Sequence, residues 1–131
     1  MLLFGGDIAV FTDNRRRWVT CLQTQKVLIF LYNQVSQDLD TRESLHTGDA
    51  AKQTAKTMQN IQMLLEEAGT TIEAVCRIVV YLTDIRYREA VYQEMGKWLK
   101  GVHPCSTGLV VPALARPEWV VEIEVTAVIP D

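Results

Sequence analysis

Cysteine and histidine are scarce in this sequence of 131 residues. The three cysteines, Cys21, Cys76 and Cys105, form an odd number without a Cys-x-x-Cys pair, which argues against a disulfide framework and a tetrahedral zinc site. With only two histidines, His46 and His103, the sequence offers no metal-ligand motif, and it has no Gly-rich phosphate loop or dinucleotide fingerprint. We therefore expect no metal, no cofactor and a reducing, cytoplasmic environment.

Long apolar runs and an excess of positive charge are also missing. No stretch approaches the ~20 apolar residues of a membrane span, and the apolar start Met1–Gly6 lacks the basic region of a signal peptide. The net charge of −3 gives no general attraction to phosphate backbones. The basic run Arg15–Arg17 beside Trp18 could stack on a base, but it is more simply a solvated or ion-paired segment. We expect neither membrane nor nucleic-acid binding.

The residues that are present predict a single α+β domain over residues 1–131, with a less regular N-terminal segment at 1–16. Apolar positions at alternating steps of four and three indicate a helix that Asp49 caps and Gly69 ends. The predicted elements are strands over Val19–Leu22 and Val27–Tyr32, a loop over Ser36–Thr47, the helix, a strand over Ile72–Thr83, a second helix from Asp84 to Gly101, and strands over Thr107–Val111 and Trp119–Ile129.

The last strand alternates between an apolar face and a face that carries Glu122 and Glu124. Two helices can cover only one face of the resulting mixed sheet, so an apolar face stays uncovered within one chain. Uncovered surfaces of this kind are typical of interfaces. We therefore expect a ring of identical subunits that meet sheet to sheet.

Two groups of residues could carry chemistry. The carboxylates of Glu122 and Glu124 share a strand face about 7 Å apart, which suits acid or base catalysis if they are partly buried, although they could simply be solvated. His103 and Cys105 flank Pro104 and could form a nucleophile pair. No residue is positioned to orient that pair, so a structural role is the simpler interpretation.

The chain beyond Trp18 resembles the Rid family of enamine/imine deaminases, also called YjgF or endoribonuclease L-PSP proteins. The order and spacing of several short segments carry this resemblance. They are Gln34, Gln53-Thr54, Asn60-Ile61, Leu65, Ala68-Gly69, Val80-Tyr81-Leu82-Thr83-Asp84, Pro104, Thr107 and Glu122-Ile123-Glu124. The resemblance implies a chorismate-mutase-like α+β fold, a homotrimer, and a cleft for a small-molecule ligand at each subunit interface.

In active deaminases of the family, an arginine in a Pro-Ala-Arg-Ser motif holds the substrate carboxylate, and a glutamate positions the attacking water. The resemblance places the catalytic glutamate at Glu122 and the arginine position at Ser106. A serine hydroxyl cannot reproduce the bidentate guanidinium clamp, so the change should cost ~2 kcal/mol or more of carboxylate binding. Arg17 or Arg116 could restore the charge, although either could be an ordinary surface arginine.

Two more departures would add bulk near the cleft, since Tyr32-Asn33-Gln34 replaces Ser-Gly-Gln and Val91-Tyr92 replaces Val-Asn. The residues expected to contact the ligand are Cys105, Ser106, Thr107, Trp18, Tyr32, Asn33 and Tyr92. One hypothesis is a deaminase in which Glu122 orients water. The alternative is a ligand-sensing or partner-binding trimer without catalysis, and an RNA-directed role would require a basic groove that begins at Arg15–Arg17.

Overall fold

The computed structural model describes residues 2–4, 8–12, 18–23 and 26–129, with side chains from position 27 onward. The basic run Arg15–Arg17, which includes one of the two replacement arginines, lies outside the described residues. The described strands are β1 (Leu2–Phe4), β2 (Ile8–Thr12), β3 (Trp18–Gln23), β4 (Lys26–Gln34), β5 (Val75–Leu82), β6 (Cys105–Val110) and β7 (Val121–Ile129).

These strands form one mixed sheet in the order β1-β2-β3-β4-β7-β5-β6. Neighbouring strands are antiparallel except β5 and β6, which are parallel. The last strand of the chain therefore lies inside the sheet, and β6 is an edge strand. The antiparallel pair β3–β4 and the parallel pair β5–β6 confirm the predicted mixed sheet, whereas β1 and β2 lie in the segment for which the sequence predicted less regular structure. Their three and five residues are too short for a periodic signal of their own.

Two helices, α1 (Ala50–Glu67) and α2 (Arg88–Trp98), follow β4 and β5. The Asp49 carboxylate accepts a hydrogen bond from the Lys52 N–H at 2.9 Å, and Gly69 has a φ of +88°, which confirms both predicted ends of α1. Asp84 caps a 3-10 turn over Ile85–Tyr87 rather than α2 itself. No helix within the described residues is long and apolar enough to cross a membrane.

Both helices cover the same face of the sheet, as the sequence predicted. On β7, Val121, Ile123 and Val125 are buried in this core, whereas Glu122 and Glu124 between them are half-buried. We call the face opposite the helices the open face. Strand pairing places on it the apolar residues Leu28, Phe30, Val79, Leu109 and Val128.

The start of β5 differs from the prediction. The segment predicted as a strand from Ile72 begins with a 3-10 turn over Ile72–Ala74, and β5 starts at Val75. The pairing of β5 with β7 is irregular between Val75 and Arg77, and both Cys76 and Arg77 are exposed. Burial on both sides, which the sequence predicted for the whole strand, is therefore confined to its middle.

Candidate functional site

A tyrosine and two glutamates form a cluster on the open face, which we call the Tyr81 cluster. Tyr81 on β5 lies directly opposite Glu122 on β7. Its hydroxyl donates a hydrogen bond to Oε2 of Glu124 at 3.3 Å. All three side chains are half-buried. The period of two along β7 puts both carboxylates on one face of the sheet, as the sequence predicted, and strand pairing puts Tyr81 on the same face.

The environment of Tyr81 keeps its hydroxyl protonated. Burial raises the pKa of Tyr81 above its usual value of 10.0, and the charges of Glu124 and Glu122 raise it further, against a smaller lowering by Arg77. A neutral phenol is therefore a permanent hydrogen-bond donor between two carboxylates at physiological pH. Because its one proton is donated to Glu124, this hydroxyl can accept a hydrogen bond from a water molecule or a substrate N–H or O–H group and hold it in a fixed position.

Two of the predicted ligand contacts lie on the same face at the sheet edge. Strand pairing aligns Cys105 with Arg77, and Thr107 with Val79, whose partner on β7 is Glu124. Thr107 is thus two strands, or about 10 Å, from the β7 carboxylates. Both β6 side chains are exposed, so they are accessible to a ligand or to another copy of the chain.

Tyr32 and Asn33 lie at a bulge where the pairing of β4 with β7 shifts register. Tyr32 stacks on Phe30 with ring centroids 6.1 Å apart, and Phe30 pairs with Thr126 on the open face. The Tyr32 ring therefore joins the open face and is 41% exposed there. Asn33 has a φ of +53° and an exposed side chain, which suits a bulge position.

Ser106 and Tyr92 lie on the other side of the sheet from Glu122. Ser106 pairs with Ile78, which is buried beneath the helices, although Ser106 itself is exposed at the edge. Tyr92 projects from α2 onto Gly108, two residues further along the same face of β6. The structure therefore separates the predicted contacts into two groups, one on each face.

The remaining candidates have other positions. Trp18 begins β3, where its backbone pairs with Leu31. Arg116 donates a hydrogen bond to the Ser44 hydroxyl at 3.2 Å, lies 3.9 Å from a Glu118 carboxylate oxygen and stacks over Trp119 at 5.1 Å. These contacts hold Arg116 against the loop before β7 rather than in the Tyr81 cluster. Among the described residues, no group of three potential metal ligands is found.

Sequence reasoning did not single out Tyr81, Gln53 or Arg88 as functional positions. Tyr81 and Gln53 entered only as parts of family segments, and no local pattern shows that Tyr81 faces the glutamates. Gln53 is fully buried and bonds the backbone of the segment before β7 through Glu118 and Val120. The sequence did carry a signal for Gln53, since it is a polar residue beside the apolar stripe of α1, where a buried side chain needs hydrogen-bond partners. No sequence signal locates Arg88.

Comparison with known proteins supports the fold and the family. The chain is 31% identical to Protein DfrA of Myxococcus xanthus over 77% of this chain and 76% of that protein. Among solved structures, a YjgF-family protein from Neisseria meningitidis is 29% identical, with a TM-score of 0.78 over 96% of this chain and 99% of that chain. E. coli TdcF with bound serine is 17% identical, with a TM-score of 0.73 over 86% of this chain and 85% of that chain.

A protein-family model matches most of the sequence and identifies the same family. The model described as Endoribonuclease L-PSP matches residues 13–129, which include every described candidate residue. The match spans both helices and the strands that carry the Tyr81 cluster. The chain therefore belongs to the endoribonuclease L-PSP family, also known as the YjgF or Rid family, as its sequence segments predicted.

Proposed function

We propose that this chain forms a homotrimer that binds a small, reactive metabolite between its copies and hydrolyses an enamine or imine, with Glu122 orienting the water. The observation that carries the proposal is the Tyr81 cluster. It sets a half-buried carboxylate beside a neutral hydroxyl donor on a sheet face that no element of the described chain covers. Carboxylates in this kind of environment are suited to general base catalysis.

The reaction needs no change of oxidation state. Glu122 accepts a proton from water as the water oxygen bonds to the imine carbon, and the C=N π electrons move to nitrogen. The proton then passes to that nitrogen, which gives a carbinolamine. The carbinolamine hydroxyl loses its proton, which Glu122 passes to the amine nitrogen, and the C–N bond breaks as the C=O bond forms, so that ammonia leaves with a carbonyl product. An enamine first gains a proton at carbon and loses one from nitrogen to become the imine. The chain contributes position and charge. The Tyr81 hydroxyl, which donates its one proton to Glu124, can accept a hydrogen bond from the attacking water.

The positions of the two groups of residues support a cleft between copies. Glu122 lies on the open face, whereas Ser106 and Tyr92 lie on the helix side of the same sheet. A small ligand cannot contact both groups within one chain because the sheet lies between them. It can do so if the exposed strand β6 of one copy lies against the open face of another, and burial of that apolar face would stabilise the assembly.

A second candidate function is ligand binding without turnover. It is favoured by Ser106, whose exposed hydroxyl stands where active family members carry the arginine. E. coli TdcF shares the fold and has been solved with bound serine. A small amino acid or related carboxylate is therefore a reasonable ligand class for either function. Cys76 and Cys105 are free, exposed thiols, which supports a reducing, cytoplasmic setting.

Ammonia release from enzymatically generated 2-iminoacids and from 2-aminoacrylate tests the proposal. We expect turnover by the wild type and a loss of about 100-fold or more in Glu122→Gln, because the amide cannot accept the proton from water. Glu66→Gln is the matched control, since Glu66 is exposed on α1 and its carboxylate accepts a hydrogen bond from the Gln62 side chain. If the wild type binds small carboxylates but releases no ammonia, the binding function replaces the enzymatic one.

A further inference from the structure

Arg88 is placed differently from the other described arginines of this region. It is the first residue of α2, and its guanidinium carbon lies 4.3 Å from the centre of the Tyr92 ring. Within the described part of the chain, Arg88 makes no ion pair, whereas neighbouring Arg86 forms a bidentate hydrogen bond with the Asp84 carboxylate. Stacking on an aromatic ring orients a guanidinium but leaves its five N–H donors available.

The stacked pair rests on a glycine of the edge strand. A methyl group at Gly108 would overlap the Tyr92 hydroxyl and would lie 2.7 Å from Nη1 of Arg88. A side chain at this position would displace the Tyr92 hydroxyl and the guanidinium, and glycine lets both groups reach the backbone of β6. Ser106 lies on the same face, about 7 Å along the strand. The guanidinium of Arg88 therefore extends from α2 to the face of β6 that carries Ser106, the serine at the position of the family arginine.

An open cleft of about 680 Å³ adjoins this pair, which is the size of a small-molecule site. Its lining residues are Ile85, Arg86, Arg88, Glu89, Tyr92 and Gln93. The Glu89 carboxylate accepts a hydrogen bond from Nε2 of Gln93 at 3.1 Å and offsets the charge of Arg88. The negative charge of Glu89 would repel a polyphosphate or a nucleic acid, so the cleft favours a small ligand with a single carboxylate.

We propose that Arg88, supported by Tyr92 and the absence of a side chain at Gly108, binds the carboxylate of the ligand in place of an arginine on β6. This inference rests on the proposed function and identifies the residue of this chain that binds the ligand carboxylate. A guanidinium binds a carboxylate through two parallel N–H···O bonds, and α2 fixes the base of the side chain that carries it. Arg88 is a binding residue, and Glu122 of another copy acts on the carbon next to the carboxylate.

Calorimetric titration with pyruvate and with its uncharged methyl ester tests the inference. We expect the wild type to prefer pyruvate and Arg88→Gln to bind it about 10- to 100-fold more weakly, while binding of the ester is unchanged. Lys97→Gln is the matched control, because it removes a positive charge from the same helix at an exposed residue that pairs with Glu94 and does not line the cleft. Introducing Ser106→Arg into Arg88→Gln should restore the preference for pyruvate, which a purely structural role of Arg88 would not produce.

The outcomes separate this inference from the proposed function. If the wild type prefers pyruvate and Arg88→Gln, with an unchanged circular dichroism spectrum, keeps that preference, the inference is wrong and the proposed function stands. If the wild type binds neither compound and releases no ammonia, the proposed function fails and the inference fails with it. Loss of the preference in Arg88→Gln together with its recovery through Ser106→Arg supports both.

Discussion

Gln53 should be among the most sensitive positions of this chain, although it touches no proposed ligand. Its side chain is fully buried between α1 and the segment that leads into β7. Nε2 donates to the Glu118 carbonyl at 2.7 Å and to the His46 carbonyl at 3.2 Å, and Oε1 accepts from the Val120 N–H at 2.9 Å. One amide therefore satisfies three backbone groups, and it fixes the chain just before Glu122.

The substitution Gln53→Met keeps the length of the side chain and removes all three hydrogen bonds. Each bond contributes about 0.5–1.5 kcal/mol, and the buried Val120 N–H loses its partner, whereas methionine gains some apolar burial. We expect the free energy of unfolding to fall by about 2–4 kcal/mol, which is a large part of the 5–15 kcal/mol typical of a domain. Urea denaturation at one fixed protein concentration should show a midpoint roughly 1–2 M lower.

Gln62→Met provides the control for this measurement. Gln62 lies on the same helix but is only half-buried, and its side chain bonds Glu66 at 3.0 Å. Its substitution should change the free energy of unfolding by no more than about 0.5 kcal/mol. If Gln53→Met costs less than about 1 kcal/mol, the three hydrogen bonds do not hold the start of β7 as the structure indicates.

Two further predictions concern the assembly. Light scattering should give about three times the monomer mass, and a monodisperse monomer would refute the inference that another copy of the chain covers the open face. At a substrate concentration that does not saturate Arg88→Gln, co-expressed Glu122→Gln and Arg88→Gln chains should be more active than either chain alone. We assume that each cleft takes Glu122 from one copy and Arg88 from its neighbour. Random assembly of equal amounts of the two variant chains then gives both wild-type residues in about a quarter of the clefts. The absence of any recovery in verified mixed assemblies would place both residues in the same copy's site.

Local signals in the sequence predicted much of the fold. The ends of α1 could be located because an N-cap carboxylate and a left-handed glycine act within a few residues of the chain, as Asp49 and Gly69 do. The faces of β7 could be assigned because strict alternation from Val121 to Ala127 leaves only one way to bury the apolar set. The resemblance to the Rid family added the topology, which no local pattern contains.

The strands β1 and β2 and the start of β5 could not be predicted in the same way. The strands β1 and β2 pair with each other and with β3, but they are too short to show an alternating pattern of their own. The start of β5 depends on a bulge in its pairing with β7, which is distant in sequence. The pairing of Val75 with Ala127 and of Arg77 with Thr126 shows such a bulge. It puts Cys76 and Arg77 at the surface of a segment whose composition alone predicted a buried strand.

The candidate site could also be predicted only in part, because some of its features depend on strand pairing and not on local sequence. Sequence spacing placed Glu122 and Glu124 on one face, but it could not tell which β6 residues share that face, because the register of an edge strand depends on its partner. Pairing with β5 puts Thr107 on the side of Glu122 and Ser106 on the side of α2. Once Ser106 lies on the helix side, Arg88 becomes a nearby source of positive charge, and a cleft that uses both Arg88 and Glu122 requires two copies of the chain.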